Sequence, residues 1–78
     1  MNIQAGIYQH YKGQQYRVFA VAQHSETEEL MVVYQALYGA FGMWVRPLTM
    51  FVEEVEVAGQ MQPRFALLSA EKSVLAQA

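Results

Sequence analysis

Catalysis and metal binding need side chains that converge, and this 78-residue chain offers few that could. His10, His24 and Glu26 form the one grouping with the donor types for a metal or for acid–base work. The two histidines fall on different segments, without the short ligand spacing that marks a metal site, so no metal is expected. Plainer roles suffice: His10 would bond a backbone carbonyl at a strand end, and His24 and Glu26 would order a loop. Cysteine and aspartate are absent, which removes thiolate ligands and every Ser/His/Asp or Cys/His arrangement. Ser25 follows His24 in the chain, yet adjacency does not set a hydroxyl against an imidazole nitrogen. No glycine-rich loop leads into a helix, so no phosphate cradle is expected. Nucleophilic catalysis by this chain alone is not expected, and no cofactor is implied.

Aromatic and guanidinium groups are the stronger lead: Tyr8, Tyr11, Tyr16, Tyr34, Tyr38 and Trp44, with Arg17 and Arg46. Each joins a large apolar body to a polar handle, the combination enriched where proteins grip partners. Trp44 and Arg46 lie two residues apart and share a face of one strand. An exposed Trp44 then makes a mixed aromatic and cationic groove; a buried one fills the core and leaves Arg46 to pair with Glu26 or Glu53. The candidate binding residues are Tyr38, Phe41, Trp44 and Arg46, with His10, His24 and Glu26 on neighbouring loops. This points to a binding or accessory module engaging a protein or peptide. The alternative is a small-molecule or nucleotide pocket reading a single base, with or without activity, built from His10, His24, Tyr34 and Arg46. A pocket of roughly 300 Å³ is hard to carve from so short a chain unless a second copy supplies a wall. A homodimer that covers an exposed sheet edge is a third reading.

Short alternating segments must position these groups. Ile3 to Tyr11 reads as a first strand, Lys12 to Gln15 as a turn, and Tyr16 to Gln23 as a second strand. That second strand is apolar at both parities, as a strand covered on both faces or curled round a barrel would be. His24 to Glu29 is a polar loop. Leu30 to Leu37 and Met43 to Arg46 form a hairpin about the Gly39–Gly42 turn, with Val32, Val33, Val45, Leu48 and Phe51 as core packing. Pro47 stops the ladder and opens a helical turn over residues 47–50. Val52 to Val57 alternates, Val55 and Val57 on one face and Glu54 and Glu56 on the other; Gly59 to Pro63 reads as a turn, and Arg64 to Leu68 as a closing strand. Ser69 is placed to cap a short C-terminal helix, or the last ten residues form a disordered tail. The fold expected is all-β: a small, strongly bent antiparallel barrel of five to six strands over residues 1–68, with a tail over 69–78.

Bulk properties narrow the function classes. A chain this short buries roughly 60% of the surface its unfolded form exposes. A hydrophobic share of 54% makes use of that limit and argues against disorder. The net charge is −2, with cations spread singly at Lys12, Arg17, Arg46, Arg64 and Lys72, so nonspecific nucleic-acid binding is disfavoured. No segment approaches the ~20 consecutive apolar residues of a membrane helix, and a cytoplasmic location is expected.

Four strings together, GIYQHYKG (Gly6 to Gly13), YRVFAVAQHSETEE (Tyr16 to Glu29), VVYQALYG (Val32 to Gly39) and MWVRPLTMF (Met43 to Phe51), make a specific combination. Over about Gly6 to Leu68 the chain resembles the bacterial domain-of-unknown-function family numbered sixteen fifty-three. The resemblance implies an SH3-like β-barrel in a small bacterial cytoplasmic protein, and it implies no activity. Phe41 departs from the polar or glycine-rich turn of that family, which marks it as a contact residue.

Overall fold

The structure, a computed structural model, describes residues 3–71. Seven strands and one short helix follow in the order β1 (Gly6–His10), β2 (Gln15–Gln23), β3 (Leu30–Ala36), β4 (Met43–Pro47), α1 (Leu48–Phe51), β5 (Glu54–Val57), β6 (Gln60–Pro63) and β7 (Phe65–Ala70). All strand pairs are antiparallel. Five strands form one sheet in the order β4-β3-β2-β1-β7, and β5 and β6 form a separate two-stranded sheet. The all-β class is as expected, but the sheet does not close into a barrel: β4 and β7 are its two edges.

The seventh strand comes from the segment read as a Gly59–Pro63 turn. The turn is instead Ala58-Gly59, both with positive φ, and Val57 pairs with Gln60 across it. This is the two-residue geometry whose twist matches the flanking strands. Pro63 is tolerated because it ends β6, where no further ladder bond is needed. The closing strand also runs further than Leu68. β7 continues through Ser69 to Ala70, opposite Ile7 and Gly6, so Ser69 is a ladder residue and not a helix cap. Residues 72–78, where the rest of the expected tail lies, fall outside the described residues. Gly6 allows this pairing: its φ is +149°, and a Cβ there would collide with the Ser69 carbonyl oxygen.

The double parity of the second strand has a local cause. The β2–β3 register shifts between Val18 and Ala20, so Phe19 is the extra residue of a bulge. Val18 faces the core before it, and Val21 packs against the core after it. One inserted residue exchanges the two faces, and the strand needs no second covering layer.

Tyr8, Val18, Val32, Tyr34, Leu48, Phe51 and Phe65 form the core. At its centre Phe51 and Phe65 stack, centroids 4.1 Å apart and planes 3° from parallel, with Tyr8 and Tyr34 edge-on to Phe51. The helix supplies Phe51. It begins at Leu48, one residue later than read, with Pro47 as its N-cap in an extended conformation. The three-residue spacing puts Leu48 and Phe51 on one face, and both are buried. Val32, Leu48 and Phe51 pack as expected, whereas Val45 is exposed and Val33 only partly buried. In register Val33 faces Val45, on the side of the sheet opposite the pair Tyr34 and Trp44.

Candidate functional site

Two ends of the sheet separate the residues singled out from sequence. His24, Ser25 and Glu26 lie in the β2–β3 loop; His10, Tyr38 and Phe41 lie at the other end, where Gln15 and Tyr16 begin β2. Seven residue steps of strand from Tyr16 to Gln23 set the ends about 23 Å apart at roughly 3.3 Å per residue. His24 and Glu26 therefore do not join His10, and the pocket of His10, His24, Tyr34 and Arg46 is not assembled as a set of four. Among the described residues no group of three metal-ligating side chains occurs. His24 orders its loop as read: Nδ1 accepts the backbone N–H groups of Glu26 and Thr27, at 3.1 and 3.3 Å. The Ser25 hydroxyl donates to the Glu26 carboxylate, not to the imidazole.

Two of the residues singled out, Arg46 and His10, do converge on the ring of Phe65. β4 is an edge strand, and it carries Trp44 and Arg46 on the core-facing side, opposite Tyr34 and Val32. Trp44 is 59% exposed, and among the described residues no strand pairs beyond β4. Arg46 reaches inward from the same strand. Its Nε donates a long 3.4 Å hydrogen bond to the Tyr34 hydroxyl, and its guanidinium lies 5.6 Å from the centroid of Phe65. Neither sequence-based pairing for Arg46 forms, since Glu53 instead meets Arg64 at 2.7 Å.

His10 closes the opposite side of this mouth. Its ring stands edge-on to Phe65 at 5.0 Å, and its Nδ1 accepts the backbone N–H of Lys12. The expected bond to a carbonyl is replaced by acceptance of an N–H, because Lys12 and Gly13 fold back over the strand end. An accepting Nδ1 leaves Nε2 as the protonated nitrogen of the neutral ring. Burial, then the charges of Arg64, Arg46 and Lys12, lower its pKa from the ordinary 6.5, which favours the neutral ring.

Tyrosines line the floor between them. Tyr16 is edge-on to Tyr34, Tyr38 and Phe65, and its hydroxyl shares a 2.6 Å hydrogen bond with that of Tyr38. Desolvation, reinforced by the bond to Tyr38, pushes the Tyr16 phenol up to about 12. Phe41 stands at the rim, 52% exposed, with its backbone in the left-handed region at φ +57°. Two bonds hold it there: Phe41 N–H to the Tyr38 carbonyl, and Gln35 Nε2 to the Phe41 carbonyl, both 3.0 Å.

Reading the sequence missed Phe65 and Arg64. They reach this mouth only through the β1–β7 pairing, which sets Phe65 opposite His10 across more than fifty residues of chain. No spacing signal could have found them.

The matching family description, "protein of unknown function (DUF1653)", covers residues 6–67. A crystal structure of a DUF1653 protein from Bordetella bronchiseptica is similar at 38% identity, covering 90% of this chain and 92% of that one, with a TM-score of 0.81. No curated protein shows a significant match.

Proposed function

The chain belongs to the DUF1653 family, which brings no assigned activity, and from its own geometry we propose that it is a binding module for an extended peptide or protein segment. The carrying observation is Trp44, exposed on an edge strand beside a positioned arginine. Met43, Trp44 and Val45 are consecutive and all exposed, so β4 offers apolar side chains on both faces and an unpaired backbone edge. Edge strands are ordinarily blunted by charge, proline or a covering loop. On β4, charge and proline enter only at its last two residues, Arg46 and Pro47. An incoming strand would pair with the β4 backbone and place alternate side chains against Trp44 and Tyr38. A cytoplasmic location accompanies this reading, since a chain without cysteine needs no oxidising compartment to fold.

The test is selection of randomised peptides on the wild-type chain, followed by titration into Trp44→Ala and Tyr38→Ala variants whose folds are verified by circular dichroism. Loss of roughly 2 kcal/mol or more in the Trp44 variant is the expected hot-spot signature. Peptides that bind both folded variants as tightly as the wild type sink the assignment.

A further inference from the structure

The mouth beside Trp44 has the chemistry to take one particular group from such a segment. Arg46 reaches Tyr34 through a long hydrogen bond from Nε and lies over the Phe65 ring, and among the described residues it pairs with no carboxylate. That arrangement orients the guanidinium and leaves the two Nη nitrogens, a pair that can fork onto a planar two-oxygen acceptor. Surrounding charge has the same sign: Arg64, Arg46 and Lys12 all act on His10, and Glu53 offsets only Arg64. Arg64 Nε is itself buried and has no hydrogen-bond partner among the described residues. A protein of net charge −2 thus gathers positive charge at one aromatic-walled spot. We propose that Arg46 is a carboxylate anchor, seating a carboxylate of the bound segment between Tyr34 and His10 while the adjoining residue of that segment lies on Trp44.

This rests on the reading of Trp44 as a binding surface and adds the class of group recognised. A planar carboxylate suits a single pre-oriented guanidinium better than a phosphate, which usually collects several donors. The carboxylate has two sources, a chain terminus or an acidic side chain, and the probes separate them: N-acetyl-leucine carries the first, N-acetylglutamate α-amide the second, and N-acetyl-leucinamide neither. Binding is read from Trp44 emission and from the Arg46 Nε–H resonance. The expected result is a saturable response to one or both carboxylates and none to the amide. Arg46→Gln should weaken it at least tenfold, and Arg46→Lys, which keeps charge but loses the fork, should restore it only in part.

Equal binding of the neutral amide overturns the inference, as does unchanged affinity in Arg46→Gln or tighter binding of inorganic phosphate than of either carboxylate. If Arg46→Gln fails to fold, the wild type decides: carboxylate affinity that does not fall with sodium chloride overturns the anchor. The two readings fail separately. Selected peptides that use Trp44 but bind as well without any carboxylate remove the anchor and leave the module; carboxylates that bind at Arg46 when no peptide needs Trp44 do the reverse.

Discussion

Phe41 shows at the residue scale how strain and exposure coincide. A left-handed backbone costs a non-glycine residue roughly 1–2 kcal/mol, and an exposed ring recovers little of that by packing. Phe41→Gly should leave stability unchanged or raise it by up to about 1 kcal/mol in urea titration, while weakening peptide binding. A loss of stability beyond about 1 kcal/mol would show that the ring packs in the fold instead. Tyr16 makes a pH prediction whose sign follows from its raised pKa. Below 10 the phenol is neutral in folded and unfolded chains alike and its contribution is fully present. Between 10 and about 12 only the unfolded chain ionises, so stability falls as pH rises through that window. Tyr38→Phe removes the shared hydrogen bond and should bring the Tyr16 titration to lower pH, read by phenolate absorbance; an unmoved titration would mean desolvation alone sets it.

Among the elements, the β5–β6 hairpin is the least supported. Among the described residues it pairs only with itself, and every residue of its two strands but Val55 is exposed. The Arg64–Glu53 ion pair and the Arg64 N–H to Glu53 carbonyl bond of 2.9 Å close its base, and the Tyr11 N–H to Arg64 carbonyl bond of 2.9 Å ties that base to the end of β1. A lone hairpin is marginal in water. Its turn adds a cost, because Ala58 holds φ +52° where asparagine is favoured. Ala58→Asn should stabilise the hairpin by roughly 0.5–1 kcal/mol, seen as slower amide hydrogen exchange confined to residues 54–63. Faster exchange there would contradict the turn geometry. β4, by contrast, is held along its whole length by β3, so its exposed side chains project from a firm backbone.

For the whole molecule, stability concentrates in the Phe51–Phe65 stack. Phe51 is 2% exposed, and Phe51→Ala should cost about 3–5 kcal/mol in urea unfolding. That is a large part of what a domain of this size commands. A loss below about 1 kcal/mol would move the core elsewhere. The same stack carries the site, since Arg46, His10, Tyr16 and Tyr34 all rest on Phe65. No helix among the described residues is long and apolar enough to cross a membrane.

Local physics made much of this legible in the chain itself. Alternating and short β-rich apolar runs placed β1 to β5, proline marked to within one residue where β4 gives way to α1, and a sequence with no Cys offers no thiolate. The misreadings were also local: Ala58 hid a two-residue turn that Asn-Gly would have announced, and the Phe19 bulge looked like a strand with two covered faces. Only the tertiary structure decided which candidates meet. Periodicity states which residues share a face, but the β1–β7 register, set between segments far apart in sequence, brings Phe65 to His10. The open β4 edge, not the identity of the residue, leaves Trp44 exposed beside Arg46.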